Sequence, residues 1–308
     1  MKKPVTNMAA SARARLLNRA KAERRPFSEL LQYYGMERFL YRLSRSEHAE
    51  RFVLKGALML QFWGAPLTRA TKDIDLLGRE THSVEQLVAV VKECLMLELQ
   101  DDGVQFDPET VQGNEIRIDA KYNGVRLTLV GFLGTARIHL QIDVGFGDVI
   151  TPGVQELDYP TLLEFDAPRL LGYTPETTIA EKFQAMVVLD MANTRMKDFL
   201  DIWLLAQGRP FSGPVLADAI GATFRRRATD LPTRTPIALT PAFHSTPVKH
   251  TQWRAYLRKG RVQGAVPELD VIASRIHAFV MPVVGSLTAG EEFLHRWRPG
   301  GPWVPGED

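Results

Sequence analysis

The hydrophobic period of this chain changes part-way along it. Three segments, 115–120, 125–132 (VRLTLVGF) and 137–146 (RIHLQIDVGF), alternate apolar and polar residues in the period of two expected of half-buried strands. TKDIDLLG at 71–78 is a fourth such run, and FVLKGALMLQFWG at 52–64 reads as a strand end entering a helix. Beyond Pro152-Gly153 the apolar residues recur at helical spacing, over 177–192, 195–207, 214–227 and 268–281. Strands gathered in one half and helices in the other argue against a regular βαβ alternation. They predict an α+β fold with a mixed sheet in a core spanning 1–160 and a mostly helical domain spanning 161–308.

Residues 1–50 add two helices split at Arg25-Pro26, the second capped by Ser28 and apolar through Leu30, Leu31, Tyr34, Phe39, Leu40 and Leu43. Residues 83–99 form an amphipathic helix through Val84, Leu87, Val88, Val91 and Leu95. Four prolines (Pro232, Pro236, Pro241 and Pro247) lie among Thr and Ser and mark 228–249 as a loop.

With 308 residues, 45% of them hydrophobic, the chain can bury two ordinary cores, and 24% charged residues is ordinary for a folded protein. The single cysteine, Cys94, rules out an internal disulfide and fits a cytoplasmic protein with a buried, inert thiol. No apolar stretch approaches the roughly 20 residues that cross a bilayer, and the basic first 22 residues lack the apolar centre of a secretory signal. The net charge of +2 is unevenly spread: residues 1–45 hold eleven Lys and Arg against three Glu. A second basic stretch, Arg225 to Arg261, contains Arg225, Arg226, Arg227, Arg254 and Arg258, with Trp253 and Tyr256 among them. Either stretch fits a solvated helix face or a surface that meets phosphate.

Asp73 and Asp75 stand two residues apart in a strand-like run, so both carboxylates share one face with Ile74 and Leu76 on the other. Such a pair fits an exposed strand face, or a clasp for Mg²⁺ carrying a nucleoside triphosphate, because the hard ion takes carboxylate and phosphate oxygens. Asp143 projects in the same way from 137–146 and would complete a three-acid cluster for phosphoryl transfer. Lys55-Gly56-Ala57, at the strand-to-helix turn, offers a close backbone approach to phosphate. Thr178-x-x-Glu181 reads as a capping box, which would place Lys182 in a first helical turn, opposing the helix dipole unless an anion is bound. Asp198 and Asp201, at i and i+3, share a helix face from which they can orient Lys182, bind metal, act as a base, or simply pair with Arg195 and Lys197.

Taken together, these segments resemble a known family. YGMERFLYRLSRSEHAERFVLKGALML, R-x-T-x-DIDLLG at 69–78, IDVGFGD at 142–148, TTIAEKFQAMV at 177–187 and RMKDFLDIWLL at 195–205 are similar, in order and spacing, to the AbiEii-type nucleotidyltransferase toxins of type IV toxin–antitoxin systems. The resemblance implies a polymerase-β-like nucleotidyltransferase core with a helical C-terminal domain, using an NTP with Mg²⁺ or Mn²⁺. It implies transfer of a nucleotide onto RNA, in several members the 3′ end of tRNA, and a cognate antitoxin as partner. It makes Asp73 and Asp75 the metal-binding acids, with Asp143 the third, Lys182 the phosphate-binding lysine and Asp198 a further essential acid. The broader superfamily carries Gly-Ser where this chain has Gly56-Ala57, so Lys55, Arg69 or Thr71 would have to supply the missing phosphate contact.

Two other readings compete. A nucleotidyltransferase acting on a small hydroxylated molecule, such as an antibiotic, needs no extended basic surface. A non-catalytic nucleotide- or nucleic-acid-binding protein has no need of Asp73, Asp75, Lys182 and Asp198 together.

Overall fold

The computed structural model describes residues 7–64, 71–119, 122–260, 262 and 264–306. The chain divides into two compact units: Met1–Phe62, Thr71–Gly147 and Gln155–Gly172 make the first, and Trp63–Ala70, Asp148–Val154 and Tyr173–Asp308 the second.

The first unit opens with α1 (Met8–Ala22) and α2 (Phe27–Arg45). Asn7 caps α1 by accepting from the Ala10 N–H. Pro26, not Ser28, occupies the cap position of α2, and no side chain caps that helix. The proline ring already fixes φ at −60°, so the helix starts without one and Ser28 lies inside the first turn. Several arginines of this region turn inward. Arg38 is buried against Glu37 at 2.7 Å, Arg25 pairs with Glu29 at 2.7 Å, and Arg42 grips Asp102 at 2.8 and 3.3 Å. Part of the basic charge read from residues 1–45 therefore serves the fold.

Seven strands form one mixed sheet: β1 (Phe52–Lys55), β2 (Asp73–Gly78), β3 (Val104–Asp119), β4 (Tyr122–Leu133), β5 (Ala136–Phe146), β6 (Gln155–Asp158) and β7 (Arg169–Gly172). Their order is β3-β4-β5-β2-β1-β7-β6. The pairs β5–β2 and β2–β1 are parallel and antiparallel respectively. The expected α+β class and mixed sheet are present. β3 starts eleven residues before the predicted strand because Pro108 and a register shift between Asp107 and Gln112 break the alternation there. Two more helices, α3 (Ala57–Phe62) and α4 (Val84–Leu95), follow β1 and β2, and α4 carries a complete Ser83–Gln86 capping box.

Phe39 and Leu43 of α2, with Leu87, Val91 and buried Cys94 of α4, meet Leu76, Leu127, Ile142 and Val144 of the sheet. Burying each such side chain is worth about 2 kcal/mol. This face of the sheet is thereby fixed as core, and the strand period of two leaves Asp73, Asp75, Gln141 and Asp143 to the other face.

The second unit holds α5 (Pro175–Leu189), α6 (Met196–Gly208), α7 (Gly213–Arg226), α8 (Pro241–His244), α9 (Pro247–Gly260) and α10 (Leu269–Ala289). A small antiparallel sheet of β8 (Phe211–Ser212), β9 (His295–Trp297) and β10 (Trp303–Pro305) joins them in the order β10-β9-β8. The segment 228–249 is not simply a loop. Pro236 precedes a 3₁₀ turn and Pro241 and Pro247 begin helices, the position where a missing N–H costs nothing. By length and composition α10 is apolar enough to cross a membrane, contrary to the sequence expectation. Its Ile272, Ile276, Phe279, Val280, Val283 and Val284 are fully buried, and it packs on α6 and α7, as a core helix does.

Candidate active site

In the first unit, Asp73 and Asp75 leave β2 on its non-core face, and the parallel register sets Asp75 directly opposite Asp143 of β5. One carboxylate oxygen from each of Asp73, Asp75 and Asp143 lies within 4.8 Å of the others. Three half-buried carboxylates this close repel one another unless cationic charge compensates. Their all-oxygen donor set fits a hard divalent ion such as Mg²⁺ or Mn²⁺.

Each acid is held by a specific neighbour. Thr71, itself buried, donates its hydroxyl to Asp73 Oδ1, and the Thr71 N–H bonds the Tyr33 hydroxyl at 3.1 Å. The Thr71 hydroxyl thus aims the Asp73 carboxylate. Gly56 adopts φ +73° beside Asp75, and a Cβ there would lie 2.7 Å from the Asp75 Cγ. Glycine is required at this turn chiefly because the carboxylate occupies the space a side chain would take. Lys55 pairs in register with Asp75 across β1 and β2, and Ala57 opens α3. Arg69 lies outside the described residues.

Sequence reasoning missed Arg126. It sits on β4 in register with Asp143 and donates from Nε and Nη2 to Asp143 Oδ1 and Oδ2, both at 2.8 Å. The three acids raise its pKa further, the Asp143 hydrogen bonds most of all. With its amide oxygen turned to the guanidinium, Gln141 accepts from Nε and Nη2 at 3.2 Å each. The signal was present in VRLTLVGF, where Arg126 and Thr128 interrupt buried Val125, Leu127 and Leu129.

In the second unit α5 starts earlier than the sequence suggested. Thr174, not Thr178, is its cap, accepting from the Thr177 N–H, and Pro175 is its first residue. Lys182 is therefore two turns inside the helix, and the argument from the helix dipole does not apply to it. Instead Lys182 Nζ lies 2.8 Å from Asp198 Oδ1 and 2.8 Å from Asp201 Oδ2, both on α6. Asp198 and Asp201 are 0% exposed. Arg195 Nε stands 2.7 Å from Asp198 Oδ2, a charge contact whose angle makes no hydrogen bond. Of the contacts open to the two acids in the sequence, pairing with Lys182 and, for Asp198, with Arg195 are both present.

Next to Lys182 on α5, Glu181 accepts from the Tyr173 hydroxyl at 3.0 Å. Arg227 reaches Asp148 at 2.9 Å, Glu181 at 3.4 Å and Gln184 at 3.0 Å. Arg227 is buried in this network and is withdrawn from the basic surface. Arg225 and Arg226 at the end of α7, and Arg254 and Arg258 one turn apart on α9, are exposed. Trp253 is fully buried and donates to the Pro267 carbonyl at 3.2 Å, so it is a core residue and not a base-stacking platform. Tyr256, half-buried, rests on it with ring centroids 5.8 Å apart.

The sequence pattern of the family described as "Nucleotidyl transferase AbiEii toxin, Type IV TA system" matches residues 38–275. Among solved structures, a candidate nucleotidyltransferase from H. pylori shares 15% identity over 86% of this chain and 98% of its own, with a TM-score of 0.47. JHP933 from Helicobacter pylori shares 15% identity over 85% and 97%, with a TM-score of 0.43. No curated protein matches the chain in sequence.

Proposed function

The chain belongs to the AbiEii nucleotidyltransferase toxin family of type IV toxin–antitoxin systems, and from that premise we propose that it transfers a nucleoside monophosphate from an NTP to an RNA acceptor, the 3′ end of tRNA foremost. The observation that carries the reading is the convergence of Asp73, Asp75 and Asp143 on the exposed face of the sheet, with Thr71, Gly56 and Arg126 each fixing one of them. A divalent ion bound by these acids would supply charge stabilisation at the phosphates of the NTP. Asp73 and Asp75 would hold that ion, with Asp143 as third ligand. Lys55 and the Gly56-Ala57 turn are proposed to contact the triphosphate beside it. Lys182 is proposed as a phosphate-binding cation, pre-set by Asp198 and Asp201 so that no rotamer entropy is lost on binding.

The acceptor assignment rests on the exposed Arg225 and Arg226 of α7 and Arg254 and Arg258 of α9, basic residues that a small hydroxylated substrate does not need. Of the N-terminal arginines, Arg25, Arg38 and Arg42 are committed to internal acids, while Arg13, Arg24 and Arg45 are exposed. We place the protein in the cytoplasm with an antitoxin as its cognate partner. The test is incubation of the protein with total RNA and each labelled NTP in turn, with Mg²⁺ or EDTA. Label in small RNA that depends on Mg²⁺ and is lost in Asp75→Asn supports the reading. Label confined to a small alcohol supports the antibiotic-modifying alternative.

A further inference from the structure

Resting on the nucleotidyltransferase reading, we propose that Arg126 is a built-in competitor for the divalent cation: it holds the Asp143 carboxylate in place when no ion is bound, and must let go of it for the ion to be taken up. The two Asp143 oxygens are the only ligand atoms that side chain can offer, and both are engaged by Arg126 at 2.8 Å. A fork-to-fork pair of this kind is the strongest geometry a guanidinium offers a carboxylate. Yet an Asp143 oxygen also lies within 4.8 Å of oxygens of Asp73 and Asp75, so the same atom is claimed by two positive charges. The guanidinium and a divalent ion cannot both take it at full strength.

The surroundings favour exchange over a permanent lock. The Arg126 side chain is 42% exposed and that of Asp143 13%, so the arginine approaches from the solvent side and can swing away without opening a cavity. With its amide oxygen turned to the guanidinium, Gln141 accepts from the same Nε and Nη2 at 3.2 Å, so the arginine has a neutral acceptor beside Asp143. Until an ion arrives, Arg126 offsets one of three mutually repelling negative charges and keeps the Asp143 carboxylate aimed. Arg126 is thus a positioning residue whose removal has two opposite effects: looser aim of Asp143, and freer access of a cation to it.

The distinguishing measurement is Mn²⁺ binding to the full chain, without nucleotide, by calorimetry or by the electron paramagnetic resonance of free Mn²⁺. Wild type, Arg126→Gln, Arg126→Lys, Asp143→Asn and Asp73→Asn are compared at neutral pH. Arg126→Gln is expected to bind about fivefold tighter, the gain from removing one part-exposed competing ion pair, with Arg126→Lys between it and wild type. Combining Arg126→Gln with Asp143→Asn should abolish that gain. Equal or weaker Mn²⁺ binding by both Arg126 variants overturns the proposal and makes the arginine a structural clamp. Undiminished Mn²⁺ binding in Asp73→Asn instead overturns the metal-site reading on which the proposal rests, whatever the arginine variants do.

Discussion

Gly56 and Asp75 are packed so closely that the carboxylate fills the volume of the side chain that Gly56 lacks. The two are joined by topology, since β1 and β2 are antiparallel neighbours with Lys55 opposite Asp75. Gly56→Ala should therefore act on catalysis more than on the fold. The positive φ costs about 1 kcal/mol for any L-residue, but the new methyl also pushes Asp75 off its position. Transfer activity is expected to fall at least 100-fold, by order of magnitude, with a small drop in melting temperature. Activity near wild type would mean that the Asp75 position is not critical.

Loss of either β2 acid should be more severe. Asp73→Asn and Asp75→Asn keep shape and remove charge, and a metal clasp commonly supplies a dominant part of transition-state stabilisation. Turnover should fall by several orders of magnitude while the melting temperature holds or rises, since one of three clustered negative charges is gone. Rates close to wild type from both variants would remove these residues from the site.

Lys182→Ala is expected to cost stability as well as activity. Removing the lysine takes one cation from Asp198, which keeps Arg195 at 2.7 Å, and another from Asp201, both acids being fully buried. An uncompensated buried charge costs about 3 kcal/mol or more, visible as a fall of several degrees in melting temperature. Lys182→Met with Asp201→Asn, which removes one charge of each sign, should recover much of the stability and none of the transfer activity. If the double variant also recovers activity, Lys182 is structural.

Glu37 gives a pH dependence of stability. Burial pushes its pKa up from 4.5 to about 7, against the opposing pull of Arg38 and the Leu162 N–H. The folded state therefore holds a proton that the unfolded state has already released between those values. The Glu37 contribution is full below about pH 4.5 and is lost as pH rises through about 7. In thermal melts wild type should lose stability relative to Glu37→Gln across that window, and the difference should stay constant above it. Wild type gaining stability relative to Glu37→Gln as pH rises would show that the ionised pair with Arg38 outweighs burial.

Why some of this was legible in the sequence and some not follows from what each signal depends on. The site acids were readable because strand alternation is local: Asp73, Asp75 and Asp143 needed only their own neighbours to show their face. Arg126 was passed over because its role depends on cross-strand register, which a single run of residues does not encode. The start of α5 was misplaced because two threonine caps compete in TPETTIAEK, and Pro175 decides between them. α9 was missed because its face is mostly polar, with only Lys249 and Trp253 buried, and β8, β9 and β10 are too short to show a period. The inward turn of Arg25, Arg38, Arg42 and Arg227 shows why a charge count overstates a basic surface: partners distant in sequence, such as Asp102 and Asp148, neutralise it.

The basic residues left exposed make the RNA proposal quantitative. Arg225 and Arg226 end α7, where the helix dipole favours cations. Arg254 and Arg258 follow each other at i and i+4 on α9, and only a weak, exposed pair with Glu268 at 3.3 Å competes for Arg254. If these four meet phosphates of unpaired RNA, the slope of log affinity against log salt should be about −3, from about 0.7 per contact. Affinity should then fall steeply between about 50 and 200 mM salt. Reversing Arg225 and Arg226 to Glu should flatten the slope by about 1.5 and weaken RNA of any sequence alike, while NTP affinity measured without RNA stays put. Arg227→Glu makes a control of the opposite kind, because it breaks the network with Asp148 and Glu181 and should lower the melting temperature. A slope near zero in wild type, or full RNA affinity in the Arg225 and Arg226 reversal, would move the acceptor surface elsewhere on the protein.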